Sequence, residues 1–235
     1  QLLGCEDENR DSVNIGGIAN LTFLAGSASP QAAVAFDSGP GNILIDSFMR
    51  ERTSGAASYD KNGANAARGK PDQALLAQML EDPYFAAPAP KSTGHERFGT
   101  VFAMRYAREL ARLTLEDGAA TLTELTSISI TEAVTRTAPR GSLVLISGGG
   151  AHNHHLVRRL CERLTGYRVE TSQNMNIPVD AKEALAFAVL GYETLRSRAA
   201  GLPGVTGARH AALLGALAPH DLPALLRKVQ TECRQ

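Results

Sequence analysis

Val13-Asn14-Ile15-Gly16-Gly17-Ile18-Ala19-Asn20-Leu21-Thr22-Phe23-Leu24 is a run of β-branched and apolar residues interrupted by two adjacent glycines. The run predicts a strand with a bend or bulge at Gly16-Gly17. Gly26 to Pro30 are turn residues and 32–36 reads as a second short strand, so the two form a hairpin. Paired glycines inside a strand mark a bulge, or close approach by a ligand or another backbone. Phe36-Asp37-Ser38-Gly39-Pro40-Gly41-Asn42 follows. Asp37 ends a strand, 37–41 is a tight loop, and Asn42 stands where an N-cap should, ahead of a helix over 43–52 with Leu44/Phe48 and Ile45/Met49 paired on a buried face. Such a loop lets backbone N–H groups approach an anion, and the helix end adds partial positive charge. A carboxylate there can take a proton from a hydroxyl or water beside a phosphate. Asp37 and Ser38 could equally satisfy turn amides.

Beyond this segment, residues 53–71 are rich in Gly and Ala and read as loops with short helical turns. Asp72 caps a helix over Leu75, Leu76, Met79 and Leu80, and Pro83, Pro88 and Pro90 enforce an extended stretch up to Lys91-Ser92-Thr93-Gly94. Helices follow around 101–113 and 121–136. Leu143-Val144-Leu145-Ile146 is a continuous apolar run, as in a strand covered on both faces. It leads into Ser147-Gly148-Gly149-Gly150-Ala151-His152-Asn153, either a ligand-bearing loop at the mouth of the sheet or a tight strand-to-helix turn. Asn153 occupies the last glycine place of GxGxxG, so a dinucleotide fingerprint fits poorly. A helix with Leu156, Leu160 and Leu164 on one stripe, a strand over 168–171, and a helix capped by Asp180 with Ala181, Leu185, Ala188, Tyr192 and Leu195 as its apolar face complete the pattern. The order predicts an α/β fold with a mixed β-sheet flanked by helices. Residues 1–11 are expected to fray, 12–218 to form the folded unit, and 219–235 to be a tail.

Composition narrows the function classes. The chain has 235 residues, 24 Lys+Arg against 24 Asp+Glu, 43% hydrophobic and 20% charged residues. That is an ordinary globular balance, and zero net charge gives no electrostatic footprint for nucleic acid or an anionic membrane. No apolar run approaches the roughly 18–20 residues of a membrane span. Three cysteines provide no disulfide framework or CxxC pair and favour a reducing cytoplasm. His152, His154 and His155 lie close together but lack metal-ligand spacing, so no metal site is assigned. No GxSxG elbow supports a hydrolase.

The segments VNIGGIANLTFL, FDSGPGN, APAPKSTG, SGGGAHN and EALAFAVLGY, in this order over residues 13 to about 218, together resemble the anhydro-N-acetylmuramic acid kinase family. The resemblance implies the second lobe of an actin-like ATPase (ribonuclease H-like) fold, with ATP in the cleft between two lobes. It implies a phosphotransferase that hydrolyses the bridge of 1,6-anhydro-N-acetylmuramic acid and yields N-acetylmuramic acid 6-phosphate, in peptidoglycan turnover and cell-wall recycling. Asp37 would be the general base. Asn14, Gly16, Gly17, Gly39 and Gly41 would serve the phosphates, and Gly148, Gly149, Gly150 and Asn153 the nucleotide. Glu183 and Asn42 would meet the sugar. Mg²⁺ would bridge ATP oxygens. Ser38 stands where the family has Thr and keeps the hydroxyl, while Asn62, Asn65 and Lys182 depart from the usual pattern. Family members open with a further lobe carrying a second phosphate loop. The resemblance therefore implies a first lobe located upstream or supplied in trans, little activity for this polypeptide alone, and a tendency to dimerise. A non-catalytic nucleotide- or sugar-binding module derived from such a kinase is the alternative.

Overall fold

The computed structural model describes residues 7–26, 32–179, 181–216, 218 and 220–232. Its centre is a mixed sheet of five strands in the order β3-β2-β1-β4-β5, formed by β1 (Arg10–Ile15), β2 (Ile18–Leu24), β3 (Val34–Pro40), β4 (Leu143–Ser147) and β5 (Arg168–Thr171). β1 pairs antiparallel with β2, and β2 with β3, whereas β1–β4 and β4–β5 are parallel. The mixed sheet is thus as expected, but three local details differ.

The bent strand is two strands. Gly16 and Gly17 turn the chain so that Ile15 faces Ala19, and the Gly16 N–H donates to the carbonyl of Ile18. β3 runs on to Pro40, so Asp37 lies within a strand and not in a loop; a register shift at Ala19/Asn20 accommodates it opposite Asn20. Arg10 and Asp11, expected in a frayed segment, open β1, because the parallel partner β4 starts level with Arg10. Most of the turn expected at 26–30 lies outside the described residues.

The helices are α1 (Ile43–Arg52), α2 (Gln73–Leu80), the one-turn α3 (Pro83–Ala86) and α4 (His95–Phe98), α5 (Thr100–Arg105), α6 (Ala107–Arg112), α7 (Leu115–Thr137), α8 (His154–Arg163), α9 (Lys182–Leu195), α10 (Pro203–Thr206) and α11 (Leu222–Glu232), of which α7 packs on the sheet. α2 starts at Asp72, whose carboxylate accepts from Ala74 and Leu75 N–H, as expected. Pro83 sits at the first position of α3, where its missing N–H costs nothing, so that part of the proline segment is helical and not extended. The helix expected around 101–113 is broken into α5 and α6 at Tyr106, and the one-turn α4 precedes them. β4 is buried throughout, as its apolar run predicts.

Two apolar clusters share the 23-residue α7. Ala119, Leu122 and Leu125 join α1, α2 and the aromatic chain Tyr84, Phe85, Phe98, Phe102 and Tyr106. Ile130 and Val134 meet Val13, Ile15, Leu21, Val144 and Ile146 on the sheet and Leu156, Leu160 and Leu164, the predicted stripe of α8. Each such buried side chain contributes about 1.5–3 kcal/mol. Asp82, almost wholly buried, accepts from Arg97 and from Arg105 (3.1 Å) and caps α3. These bonds tie α4 and α5 to α3 and fix the loop over 87–94 between them. The expected cap at Asp180 lies outside the described residues, and the apolar face expected of α9 is only partly covered: Leu185 and Tyr192 are exposed, and neighbouring Phe187 is 72% exposed, whereas Ala181 and Leu195 are half-buried.

Candidate active site

Strand register assembles the site. Asp37 stands opposite Asn20, Asn20 opposite Asn14, and Asn14 opposite Ser147. Directly opposed residues share a face of the sheet, so these four polar side chains form one row of about 14 Å across four strands. The Gly16-Gly17 turn and Gly148 lie at the same end of the sheet. At the far end of the row, Lys182 Nζ donates to Ser147 Oγ (2.8 Å) and Ser12 Oγ (3.2 Å). Burial lowers the Lys182 pKa, with the neighbouring Glu183 working against it. Ser147 Oγ is also 3.4 Å from Asn14 Oδ1.

Asp37 is held at every polar atom but one. Ser92 Oγ (2.9 Å) and the Thr93 N–H (2.8 Å) both donate to Oδ2. The Asp37 N–H donates to the Lys91 carbonyl (3.0 Å), and the Tyr84 hydroxyl donates to the Asp37 carbonyl (2.8 Å). Burial and the nearby Asp37 charge push the Tyr84 phenol up, so it stays a donor. Among the described residues nothing bonds to Oδ1. A hollow of about 430 Å³ lies here, lined by Asn20, Thr22, Asp37, Lys91, Ser92 and Gly207. A carboxylate fixed through one oxygen and open at the other can accept a proton.

A second hollow of about 530 Å³ is lined by Asn42, Asp46, Arg50, Gly149, His152 and Asn153, with residues 58–62 as its far wall. Gly149 opens onto it: a Cβ there would meet nothing nearer than Asn42 Nδ2 at 3.9 Å. Gly148 has φ +80°, and a Cβ on it would stand 2.9 Å from Asn14 Oδ1, so the loop closes directly against the polar row.

The glycines of FDSGPGN have another purpose than the expected anion cradle. The N–H groups of Gly41, Asn42 and Ile43 are spent on the carbonyls of Gly17, Gly16 and Gly17 (2.8, 2.8 and 3.1 Å), so the hairpin turn itself occupies the start of α1. A Cβ on Gly41 would stand 2.4 Å from the Gly16 carbonyl oxygen, and one on Gly39 would press on the Phe85 ring. Both positions, and Gly150 against Ile15, are small for packing. Asn42 precedes α1 as predicted, yet its side chain caps nothing. Its Nδ2 donates to the Ile15 carbonyl (3.2 Å), bracing the turn. Asn153 lines the second hollow and its Oδ1 accepts from Leu156 N–H, capping α8. Glu183 is exposed in the first turn of α9 and borders neither hollow.

The structure thus brings Asp37, Asn14, Gly16, Gly17 and Gly148 to one end of the sheet, and Asn42, Gly149 and Asn153 to the adjoining hollow. Sequence reading gave no role to Ser92, Thr93, Asn20 or Asp46. Ser92 and Thr93 lie more than 50 residues from Asp37, and the sequence marked them only as part of the APAPKSTG segment, with no link to Asp37. No group of three or more His, Cys, Asp or Glu side chains suited to a metal occurs among the described residues, and no described helix is long and apolar enough to cross a membrane.

A family model described as anhydro-N-acetylmuramic acid kinase matches residues 1–220. Proteins named anhydro-N-acetylmuramic acid kinase from Xanthomonas axonopodis pv. citri (strain 306) and Streptomyces coelicolor (strain ATCC BAA-471 / A3(2) / M145) are 45% and 40% identical to it. The alignments cover 93% and 92% of this chain, and 57% and 54% of those proteins. The chain therefore spans about half the length of the curated relatives it matches. A solved activator of the 2-hydroxyisocaproyl-CoA dehydratase from Clostridium difficile with bound ADPNP aligns at TM-score 0.49 and 16% identity, over 82% of this chain and 66% of that one. By the extent of the family match and the identity to its members, this chain belongs to the anhydro-N-acetylmuramic acid kinase family.

Proposed function

We propose that this chain carries the base-bearing part of an ATP-dependent kinase that converts 1,6-anhydro-N-acetylmuramic acid to N-acetylmuramic acid 6-phosphate. The observation that carries the reading is Asp37, fixed at Oδ2 by Ser92 and Thr93 and open at Oδ1 beside a hollow. Oδ1 takes a proton from water as the water oxygen bonds to the anomeric carbon. The bond from that carbon to bridging O6 breaks, and O6 receives the γ-phosphoryl group. Charge-assisted bonds of this kind are short and strong, and holding the base still is what such positioning requires. Asn14 and the Gly16-Gly17 turn border the phosphates, and Gly149 leaves room for the nucleoside. Asn42 and Glu183 are the remaining sugar-facing candidates, Asn42 through the turn it braces. Mg²⁺ accompanying the nucleotide would supply neutralisation of phosphate charge, with no set of three or more metal-suited side chains among the described residues to hold it. The partners are the amino sugar, ATP and a first lobe upstream or in trans, with a homodimer as the assembly.

The test is phosphoryl transfer from ATP to the anhydro sugar, measured with the chain alone and with the amino-terminal portion of a full-length relative added. The chain alone is expected to show little turnover, because positioning and charge stabilisation act from both walls of such a site. With the added portion, Asp37→Asn is expected to lower kcat by about 10²–10⁴-fold. Unchanged turnover in that variant would make the assignment of the base wrong. One other reading is a non-catalytic nucleotide- or sugar-binding module derived from such a kinase. Nucleotide binding without turnover under any complementation would establish it.

A further inference from the structure

Asn42, Asp46 and Arg50 recur at every fourth position of the α1 segment and all border the 530 Å³ hollow. They therefore form one stripe, each about 6 Å beyond the last. The stripe begins beside Gly149, at the glycine turns. Asp46 is half-buried, and burial pushes its carboxyl up to about 6, with the Arg50 charge opposing. Among the described residues no hydrogen bond takes up its two oxygens. An ionised carboxyl accepts only, and one partly stripped of water is relieved by hydrogen-bond donors. Asp60, on the opposite wall, is not in this condition: the N–H groups of Asn65 and Ala66 and the Asn65 side chain saturate it.

The inference rests on the nucleotide reading given above. In that reading the phosphates lie against the glycine turns, and the next part of the molecule outward is its five-membered sugar. Asp46 is the first polar group outward from Asn42 on the stripe, and Arg50, about 6 Å further, is level with the base. A ribose presents two adjacent hydroxyl donors, and Asp46 presents two free acceptor oxygens. We propose that Asp46 binds the ribose hydroxyls of the nucleotide and so selects ribonucleotides over deoxyribonucleotides.

Calorimetric titration of the whole chain with ATP, 2′-deoxy-ATP, 3′-deoxy-ATP and GTP tests this, on the wild type, Asp46→Asn and Asp46→Ala. The wild type is expected to bind ATP about tenfold or more tightly than either deoxynucleotide, the usual worth of a bond to a charged group. Asp46→Ala is expected to lose a similar factor for ATP and to bind ATP and both deoxynucleotides alike. Asp46→Asn, which keeps shape and one acceptor, should fall between. Equal wild-type affinity for ATP and both deoxynucleotides overturns the inference and leaves the nucleotide reading standing, and this comparison needs no variant. Retention of the ribose preference in Asp46→Ala also overturns it. Discrimination between ATP and GTP that vanishes in Asp46→Ala, without a ribose preference, overturns it too, since Asp46 would then read the base. Absence of heat with every nucleotide removes the nucleotide reading itself, and the inference with it.

Discussion

Asp11 is a carboxyl on the apolar face of β1, in line with Val13 and Ile15, and it is fully buried. Neither oxygen has a hydrogen-bond partner among the described residues, and the nearby Thr137 hydroxyl already donates to the Ala133 carbonyl. Burial pushes its pKa from 3.8 up to about 7. A raised folded-state value means that the folded protein holds the proton more tightly than the unfolded chain. The protein is therefore most stable, as far as Asp11 is concerned, below about pH 4, and loses stability as pH rises towards 7. The loss is on the order of 2–4 kcal/mol. Urea melts of wild type and Asp11→Val at pH 5, 7 and 8 are expected to diverge, the variant gaining on the wild type as pH rises; parallel curves would mean that the carboxyl is not buried as a proton-holding acid. No sequence pattern revealed this residue, which sits in a segment too polar to read as a strand. Asp37 stood out as a carboxylate after an apolar run with glycines behind it, a pattern that a turn residue fits equally. What held it was not legible, because Ser92 and Thr93 arrive through a long-range fold. Asn42 shows the same limit in reverse: a local cap was predicted, and a carbonyl 27 residues away took the side chain.

Among elements, α7 and α8 are joined by one charged clamp. Glu124, nearly buried in the middle of α7, accepts from Arg159 Nε (2.9 Å) and Nη2 (2.8 Å), and from Arg163. Burial alone would raise the Glu124 carboxyl, but the bonds from Arg159 and Arg163 outweigh it and hold the group below the usual range. Because α8 begins directly after Gly148–Asn153, this clamp also sets where the glycine loop meets Asn14. Glu124→Ala takes this acceptor from two guanidinium groups, each about 30% exposed, leaving Arg159 with Glu162 alone. Breaking a fully buried pair costs about 3–5 kcal/mol, and the partial exposure of the arginines reduces this to about 1–3 kcal/mol. Denaturant melts at pH 7 measure that loss. The difference between wild type and variant is expected to shrink as pH falls through the lowered pKa of Glu124, since a depressed carboxyl stabilises only while ionised. An unchanged midpoint at pH 7 would mean that the clamp contributes nothing. Periodicity gave α8 and its Leu156-Leu160-Leu164 stripe well, since one face is apolar and the other charged. It failed over 101–113, where Phe102 and Tyr106 reach the aromatic cluster across two short helices as readily as from one, and nothing in the sequence marked the break at Tyr106.

For the molecule as a whole, the sheet converts a linear order of motifs into adjacency. β1 lies centrally between β2 and β4, so the turn after β1 and the glycine loop after β4 emerge side by side although more than 130 residues separate them. That is why motifs distant in sequence, the Gly16-Gly17 turn, Asp37 and the glycine loop at Gly148, end together at one end of one sheet, whereas the EALAFAVLGY segment on α9 does not join them. It also predicts a global response to ligand. A nucleotide lying along the Gly16-Gly17 turn, the Gly149 loop and α1 touches three segments that hold each other through backbone bonds, so binding should stabilise the fold cooperatively and not merely locally. At a free concentration of 100 times Kd, linkage gives about 2.7 kcal/mol. For a chain of 235 residues, that corresponds to a rise in Tm of about 5–11 °C. Thermal melts with ATP and Mg²⁺ measure it. Gly149→Val should cancel the shift with little change in the melt without ligand, because a Cβ there has open space before it, 3.9 Å from its nearest neighbour. Gly41→Ala should instead lower the melt without ligand, since its Cβ would strike the Gly16 carbonyl. A Tm that stays fixed while calorimetry records saturating nucleotide would mean that the ligand sits away from the joint between turn, loop and helix, and the hollow beside Gly149 would lose its assignment.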